Sequence, residues 1–262
     1  MNTTEHKMQE RLTQLLRELR LPAIRQGYPE SARQARANAM SYEAFLLSLC
    51  ELENQERLEH RIERHLRQSC LPREKTLAAL DLARMGHKTA VQLRTLLEGD
   101  FLQRNENVLA FGNPGSGKTH LLCAIGHELI QAGHRIYFAQ CSLLVQQLLR
   151  AKRDLRLERA LKALSRYEAI IIDDIGYVQQ DRDEMEVLFE LFSHRYERGS
   201  ILLSSNLPFS QWERIFKDPM TTAAAVDRII HHSVIFELNL PSYRMQHAQQ
   251  QNAREKELPE EN

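Results

Sequence analysis

The spacing of apolar residues in the first 70 positions is that of amphipathic helices. Between Met8 and Arg20 the leucines recur at intervals of three and four residues, and the same spacing runs from Met40 to Gln68. The opposite faces of both stretches carry Glu, Arg and Gln. Leu71-Pro72 ends the second stretch, because proline disfavours helical backbone in the residue before it. The pattern predicts a small all-helical N-terminal domain over residues 1–75, which we expect to contact a partner or DNA.

A change of pattern at Val108 predicts a second domain of another class. Thr76–Asn105 still has helical spacing, broken near Gly86, and is expected to be a helical linker over residues 76–107. From there on, short β-branched or aromatic runs alternate with helical patterns. The predicted strands are Val108–Phe111, Arg135–Ala139, Ala169–Asp173, Ile201–Ser205 and Val234–Leu238. The predicted helices are Gly117–Ala132, Ser142–Lys152, Leu155–Arg166, Asp181–Arg198 and Thr221–His231.

This alternation of strands and helices indicates an α/β domain. It predicts a mainly parallel five-stranded sheet with helices on both faces over residues 108–245. The polar composition after that point predicts a disordered tail over residues 246–262.

Composition excludes several classes of protein. The 262 residues carry 35 basic and 35 acidic side chains, so any contact with nucleic acid needs a local basic surface. The four cysteines lie far apart without a Cys-x-x-Cys pair, which argues against a zinc site or a disulfide framework. No apolar run approaches the roughly 18 residues of a membrane span, and the first residues do not form an apolar signal core. We expect a cytoplasmic protein that does not enter a membrane.

One segment carries a specific nucleotide-binding pattern. Residues 112–119 read Gly-Asn-Pro-Gly-Ser-Gly-Lys-Thr, follow an apolar run and open a helical run, as the strand–loop–helix arrangement of a P-loop requires. Glycines let backbone N–H groups turn toward a polyanion, and the helix N-terminus adds its dipole. Lys118 can reach the β- and γ-phosphates, while the Thr119 hydroxyl can hold Mg²⁺. The segment predicts an ATP·Mg²⁺ site made by Gly112, Asn113, Pro114, Gly115, Ser116, Gly117, Lys118, Thr119 and His120.

Polar residues at the ends of two other strands predict the rest of this site. Asp173 and Asp174 end an apolar strand, so Asp173 should hold Mg²⁺ and Asp174 should orient or deprotonate the attacking water. The pair also fits a second interpretation, as turn or N-cap aspartates after a buried strand. Asn206 follows the strand Ile201–Ser205 and is expected to position water against the γ-phosphate, although it also fits a simple turn before Leu207-Pro208.

Absent signatures narrow the class of P-loop protein. The chain has no Asn-Lys-x-Asp motif, which argues against a GTPase, and no Leu-Ser-Gly-Gly-Gln motif, which argues against a transporter-type ATPase. A small-molecule kinase and an AAA+ ATPase remain. An AAA+ protein presents an arginine to the ATP of the neighbouring subunit, and Arg228 is our candidate. Arg195, Arg198 and Arg214 are rivals, and an ordinary surface arginine is the alternative interpretation of Arg228.

The chain resembles the IstB-like ATPases, AAA+ helper proteins encoded beside a transposase in two-gene insertion sequences and related to the helicase loader DnaC and the initiator DnaA. The resemblance covers nearly the whole chain. Its N-terminal part consists of Leu19–Pro22, Ser41–Leu46 and Leu71–Leu77. Its ATPase part consists of Glu106–Val108, the P-loop, Asp173-Asp174, Asp227-Arg228 with His231-His232, and Ser242–Arg244.

This resemblance implies several further features. The fold would be an AAA+ domain with sheet order 5-1-4-3-2 and a reduced lid, preceded by a small helical domain. The protein would be a homo-oligomer with ATP between subunits, Asn206 would be sensor 1, and Arg244 is the candidate for sensor 2. Asp174 departs from the usual AAA+ Asp-Glu pair, and its shorter side chain predicts slow hydrolysis or a different water position.

A local basic segment predicts contact with DNA. Residues 150–166 hold seven basic and two acidic side chains in an otherwise neutral chain. Phosphate neutralisation by such a segment would be independent of sequence and sensitive to salt, with duplex backbone as the expected ligand. A solvated helix offset by the acidic residues 167–200 is the alternative interpretation. The predicted DNA-binding residues are Arg150, Lys152, Arg153, Arg156, Arg159 and Lys162, with Arg166 at the end of the segment.

These features together predict an ATP-dependent, DNA-binding oligomer that prepares target DNA and recruits or activates a transposase. We expect its ATPase activity to be stimulated by double-stranded DNA. A replicative helicase loader of the DnaC type is the main alternative, with the same chemistry and another partner. A monomeric P-loop kinase is a third possibility from a different class.

Overall fold

The computed structural model describes residues 3–175, 182–212 and 219–243. The chain divides into two compact units, the first ending at Arg64 and the second beginning at His65. The division falls inside a helix, and the predicted end of the N-terminal domain at residue 75 lies further along the chain. The predicted tail over residues 246–262 lies outside the described residues. In the described part of the chain, no helix is long and apolar enough to cross a membrane.

The N-terminal unit is helical, as predicted. Its elements are α1 (Thr3–Glu18), α2 (Pro22–Ala37) and the beginning of α3 (Tyr42–Ser69). Leu16, Ile24 and Leu49 form a small core, one residue from each helix. The predicted apolar face of α1 is only partly buried, since Met8 is 68% exposed and Leu12 is 39% exposed.

The N-terminus of α2 is capped by a side chain from α3. The residue before the helix, Leu21, makes no side-chain cap. Instead a carboxylate oxygen of Glu53 accepts hydrogen bonds from the N–H groups of Ala23 at 3.0 Å and Ile24 at 3.2 Å, while Arg57 donates to its other oxygen at 2.8 Å. These bonds satisfy backbone donors that no helix can satisfy internally. Glu53 is therefore a buried charge with its partners in place.

The C-terminal unit is a five-stranded α/β domain, as predicted. Its strands are β1 (Asn107–Gly112), β2 (Ile136–Gln140), β3 (Ala169–Asp173), β4 (Ser200–Ser205) and β5 (Ser233–Leu238). Its helices after α3 are α4 (Gly86–Leu97), α5 (Asp100–Gln103), α6 (Lys118–Gln131), α7 (Cys141–Arg153), α8 (Leu157–Leu164), α9 (Arg182–Arg195) and α10 (Pro219–Ile230).

The predicted helix over Thr76–Asn105 is wrong in its first part. Residues 76–81 have irregular backbone, and a 3₁₀ turn over Leu82–Met85 precedes α4. Gly86 has φ 78°, a left-handed backbone conformation that interrupts the helical path between the 3₁₀ turn and α4. The irregular stretch brings its side chains to the nucleotide site described below.

The sheet is parallel throughout, in the order β2-β3-β4-β1-β5. This is the order that the resemblance implies. The apolar runs of the inner strands are buried on both faces, and the side chains from Val108 to Ala110 have no exposed surface. Parallel strands end at a common edge, so the polar residues that follow β1, β3 and β4 meet there.

The register of the strands fixes which of these residues meet. Ile172 of β3 pairs with Leu203 of β4, and Phe111 of β1 pairs with Ser205 of β4. One residue further along, Asp173 therefore lies beside Ser204, and the first glycine of the P-loop lies beside Asn206.

Candidate nucleotide site

The P-loop leaves the sheet through a backbone conformation that requires glycine. Gly112 has φ 145°, and a Cβ atom there would meet the carbonyl oxygen of Leu238 on the adjacent strand. The loop then turns into α6, whose N-cap Gly117 has φ 100°. Lys118, the first residue of α6, is buried and donates from Nζ to the carbonyl oxygens of Gly112 at 2.8 Å and Asn113 at 2.9 Å. Its ammonium group is thus held against the loop that would carry the phosphates.

Two hydroxyl groups converge on one carboxylate oxygen. Thr119 Oγ1 donates to Asp173 Oδ1 at 2.7 Å, and Ser204 Oγ donates to the same oxygen at 2.6 Å. Asp173 is 7% exposed, and these two hydroxyl groups provide hydrogen bonds to its buried carboxylate. The hydroxyl of Thr119 and the carboxylate of Asp173 are hard oxygen ligands of the kind that Mg²⁺ prefers. This pair fits a magnesium ion shared with the phosphates of ATP.

Asp174 and Asn206 lie at the same edge of the sheet. The N–H of Asp174 donates to Ser204 Oγ at 2.8 Å, and its φ of 59° turns the chain out of β3. Asn206 Oδ1 is buried and has no hydrogen-bond partner among the described residues. Both residues line a cavity of about 300 Å³ together with Lys118 and Thr119. The structure therefore brings the P-loop, the acidic pair and the predicted sensor into one site.

The other wall of this cavity comes from residues that were not predicted to bind nucleotide, although Tyr243 lies in the Ser242–Arg244 segment of the family resemblance. Leu80, Met85 and Leu240 supply apolar surface. The guanidinium of Arg84 lies 5.2 Å from the ring centroid of Tyr243 and donates to the carbonyl oxygen of Pro241 at 3.0 Å. These side chains come from the irregular stretch before α4 and from the residues after β5. Local patterns at those positions carry no nucleotide-binding signal.

One predicted cofactor residue, His120, borders this wall. His120 lines the cavity, and its Nε2 lies 2.9 Å from the carbonyl oxygen of Thr76. This hydrogen bond joins α6 to the irregular stretch. The predicted sensor-2 residue, Arg244, lies outside the described residues.

Arg228 lies at the amino-terminal end of the strands, whereas the nucleotide cavity lies at their carboxyl-terminal end. The carbonyl oxygen of the next residue, Ile229, accepts a hydrogen bond from the side chain of Asn107, the first residue of β1. The P-loop begins at Gly112, the last residue of the same strand. Five strand residues span about 17 Å. Arg228 donates to the carbonyl oxygen of Ala224 at 2.9 Å and lies over the ring of Phe189 at 4.9 Å. It borders a second cavity of about 180 Å³.

The rival arginines have different environments. Arg195 is 3% exposed and donates to the carbonyl oxygens of Leu164, Tyr167, Glu168 and Ser200 at 2.8–3.3 Å. Burial lowers the pKa of its guanidinium to about 10. Because these bonds tie α9 to the end of α8 and the start of β4, Arg195 has a structural role. Arg198 is exposed, and Arg214 lies outside the described residues.

The predicted DNA-binding residues lie on a hairpin of two helices, α7 and α8, between β2 and β3. We call this element, residues 141–164, the basic hairpin. Its exposed cations are Arg150, Arg153, Arg156, Arg159 and Lys162. Lys152 differs from them because it is half-buried and pairs with Glu186 at 2.8 Å and Asp183 at 3.4 Å on α9. Hydrogen bonds with these carboxylates raise the pKa of Lys152.

Known proteins with similar sequences include ATP-binding proteins of insertion sequences. A putative insertion sequence ATP-binding protein of Sinorhizobium fredii is 44% identical over 239 residues, which cover 91% of this chain and 80% of that protein. The putative ATP-binding protein of insertion sequence IS5376 from Geobacillus stearothermophilus is 35% identical, with 95% of this chain and 100% of that protein covered.

Solved structures establish the fold as that of an AAA+ domain. DnaA of Aquifex aeolicus bound to AMPPCP matches with a TM-score of 0.55 at 17% identity, covering 74% of this chain and 58% of that one. DnaI matches with a TM-score of 0.55 at 19% identity, covering 65% of this chain and 96% of that one. The family of IstB-like ATP binding proteins matches residues 14–251. The chain belongs to this family and is an ATP-binding AAA+ protein.

Proposed function

We propose that this chain hydrolyses ATP and acts, as a DNA-bound oligomer, with a transposase in DNA transposition. The observation that carries the proposal is the convergence of Thr119, Asp173 and Ser204 beside the P-loop. Backbone N–H groups of the loop and Lys118 would bind the phosphates. Thr119 and Asp173 would hold Mg²⁺, which neutralises charge on the transferred phosphoryl group.

Asp174 and Asn206 are positioned to act on water. Asn206 lines the cavity, and its side-chain amide can hydrogen-bond to a water molecule there. Asp174 can accept the second proton of the same water. An aspartate reaches one methylene less far than a glutamate, so we expect a low rate of hydrolysis.

Arg228 is assigned to the ATP of a neighbouring copy. Its distance along β1 from the P-loop of its own chain supports this assignment, as does its place at the end of α10, where it borders a cavity. A cation delivered to the γ-phosphate from a second subunit stabilises the charge of the transition state. Hydrolysis would then depend on assembly.

Duplex DNA is the proposed ligand of the basic hairpin. Five of its cations are exposed, and the described residues give none of these five an ion pair. They can therefore contact phosphates without first breaking internal salt bridges. Lys152 is the exception, and we assign its ion pairs a role in holding α7 against α9.

The N-terminal unit is the proposed contact for the transposase. Met8, Leu12 and Leu15 on α1, with Leu19 directly after it, form an exposed apolar stripe with exposures of 36–68%. Exposed apolar surface of this extent on a small unit is typical of a protein interface. The relatives named as insertion sequence proteins favour a transposase over a replicative helicase as the partner.

Phosphate release by the full-length protein tests the catalytic part of the proposal. With ATP and Mg²⁺ we expect turnover that rises when duplex DNA is added. Lys118→Ala should lose tight ATP binding, since each charge-assisted hydrogen bond to phosphate contributes about 1.5–3 kcal/mol. Asp174→Asn should bind ATP normally and hydrolyse it more slowly. Turnover no higher in the natural protein than in Lys118→Ala would overturn the proposed ATPase activity.

A further inference from the structure

The tip of the basic hairpin carries an apolar side chain in an unusual setting. Leu155 connects α7 to α8 and is 95% exposed. Its N–H donates to the carbonyl oxygen of Lys152 at 3.0 Å, and the N–H of Arg156 donates to that of Ala151 at 2.7 Å. This pair of bonds is the Schellman motif, in which the residue at the position of Leu155 adopts left-handed backbone.

Leucine is energetically disfavoured at that position unless its side chain contacts a ligand or a partner. Leu155 has φ 55°, a conformation that glycine adopts freely and that a side chain with a Cβ atom disfavours. Among the eight non-glycine residues with positive φ in the described ranges, Leu155 is the only large aliphatic one. Its side chain also gains almost no burial from the fold. The two hydrogen bonds of the turn stabilise this backbone, but among the described residues nothing covers the apolar side chain.

The surroundings of Leu155 are cationic. Arg156 follows it and Arg153 lies two residues before it, while Arg150 and Arg159 lie one turn further along α7 and α8; all four arginine side chains are exposed. Asp154 is the one acidic residue in the turn. A bare apolar side chain surrounded by arginines matches a ligand that is anionic outside and apolar within. Duplex DNA has this structure, with stacked bases beneath two rows of phosphates.

We propose that Leu155 is a wedge that enters a base step of duplex DNA from the minor groove, partly unstacks it and kinks the duplex. The flanking arginines would hold the phosphates on either side of the step. Inserted apolar side chains kink DNA in this way in architectural proteins, where the unstacking is offset by added backbone contacts. This inference rests on the proposed DNA binding and adds to it a residue that deforms the duplex.

Substitution of Leu155 by glycine removes the proposed wedge without destabilising the fold. Leu155→Gly relieves the left-handed backbone, so its melting temperature should equal or exceed that of the natural protein. Duplexes carrying 2-aminopurine report unstacking by increased fluorescence, end-labelled duplexes report bending by energy transfer, and anisotropy reports affinity. Leu155→Gly should bind DNA within about threefold of the natural protein, because the phosphate contacts remain, while losing the 2-aminopurine signal and the bend.

Two further variants sharpen the result. Leu155→Met should retain unstacking and bending, because an apolar side chain of similar length remains. Leu143→Ala removes another exposed leucine of α7, 58% exposed and away from the tip, and should change none of the three signals. Equal unstacking by Leu155→Gly and the natural protein would overturn the wedge while leaving DNA binding intact.

Two other outcomes would also overturn the wedge. A loss of self-association in Leu155→Gly, with unstacking unchanged, would assign Leu155 to contact between copies of the chain. A natural protein that binds no duplex DNA would overturn the proposed DNA binding and the wedge together.

Discussion

At the scale of single residues, the hydroxyl of Ser204 connects the two acidic residues of the site. It donates to Asp173 Oδ1 at 2.6 Å and accepts from the N–H of Asp174 at 2.8 Å. One side chain on β4 thus orients the carboxylate proposed for Mg²⁺ and the backbone that carries the proposed water-positioning residue. Ser204 itself does not line the nucleotide cavity. Its contribution to hydrolysis would be through the orientation of its neighbours.

Ser204→Ala should therefore lower the maximal rate of hydrolysis more than it lowers ATP affinity. We expect turnover to fall about tenfold to hundredfold, because loss of one hydrogen bond to a charged group corresponds to about 1.5–3 kcal/mol. Phosphate release and nucleotide titration measure the two quantities. Ser205→Ala is the matched control: its hydroxyl is equally buried but bonds to the backbone of Leu207. Equal turnover in both variants would mean that Ser204 contributes only to packing.

The polar residues of the site differ in how far sequence alone could identify them. The P-loop and Asp173-Asp174 follow apolar strands in a spacing that is specific to phosphate binding. Ser204 was visible only as a polar residue near the end of an apolar strand, and its role follows from the register between β3 and β4. Leu80, Arg84 and Tyr243 reach the cavity from distant segments, so no local pattern contains their position.

At the scale of elements, the limits of local patterns are clearest in α2. Its N-terminus is capped by Glu53, about 30 residues away, and not by a neighbouring serine or aspartate. Helix-start signals are local and cannot detect such a cap. The inner strands β1, β3 and β4 were predictable because they carry apolar runs, as burial on both faces requires. The irregular stretch over residues 76–81 was not, because its hydrogen bond with His120 joins it to a segment 44 residues away in the sequence.

The cap on α2 predicts a pH-dependent stability. Burial by itself raises the pKa of Glu53, but hydrogen bonds from Arg57, Ile24 and Ala23 outweigh it and hold the pKa below its usual 4.5. A lowered pKa in the folded state means that the stabilisation is present above the unfolded value near 4.5 and is lost as the pH falls through the folded value. The charged carboxylate is thus the form that holds α2.

Glu53→Gln should accelerate amide hydrogen exchange in α2 at neutral pH by about tenfold, corresponding to about 1.4 kcal/mol. The difference from the natural protein should shrink as the pH falls below 4.5, where the natural carboxyl also becomes neutral. Glu51→Gln, at an exposed position two residues earlier in α3, should leave exchange unchanged. A difference that stays constant across this pH range would exclude the charge of Glu53 as the source of the stabilisation.

At the scale of the whole molecule, the two ends of the β-strands carry complementary parts of one proposed reaction. The P-loop, Asp174 and Asn206 lie at the carboxyl ends of the strands, while Arg228 lies beside the first residue of β1. No single chain can bring these parts together without breaking the sheet. Copies arranged side by side along duplex DNA, each contacting phosphates through its basic hairpin, could place the arginine of one against the ATP of the next.

A mixture of two inactive variants tests this arrangement. Arg228→Ala should bind ATP almost as well as the natural protein but lose DNA-stimulated turnover. Its fold should persist, because the lost contact with Phe189 contributes about 0.5–1 kcal/mol. Lys118→Ala retains Arg228 but cannot use its own P-loop. In an equal mixture that assembles at random, about a quarter of the interfaces pair an intact P-loop with an intact arginine.

We therefore expect the mixture to recover a part of the stimulated turnover that neither variant has alone. Arg198→Ala is the matched control, since it removes an exposed arginine that follows α9 and was a rival for the same role. It should retain stimulated turnover, and loss of activity in this variant would transfer the role to Arg198. Co-assembly of the two inactive variants is verified by a pull-down of differently tagged chains. Absence of recovery in mixtures that co-assemble would assign Arg228 to the structure of its own subunit, because a residue acting within one chain cannot rescue the site of another.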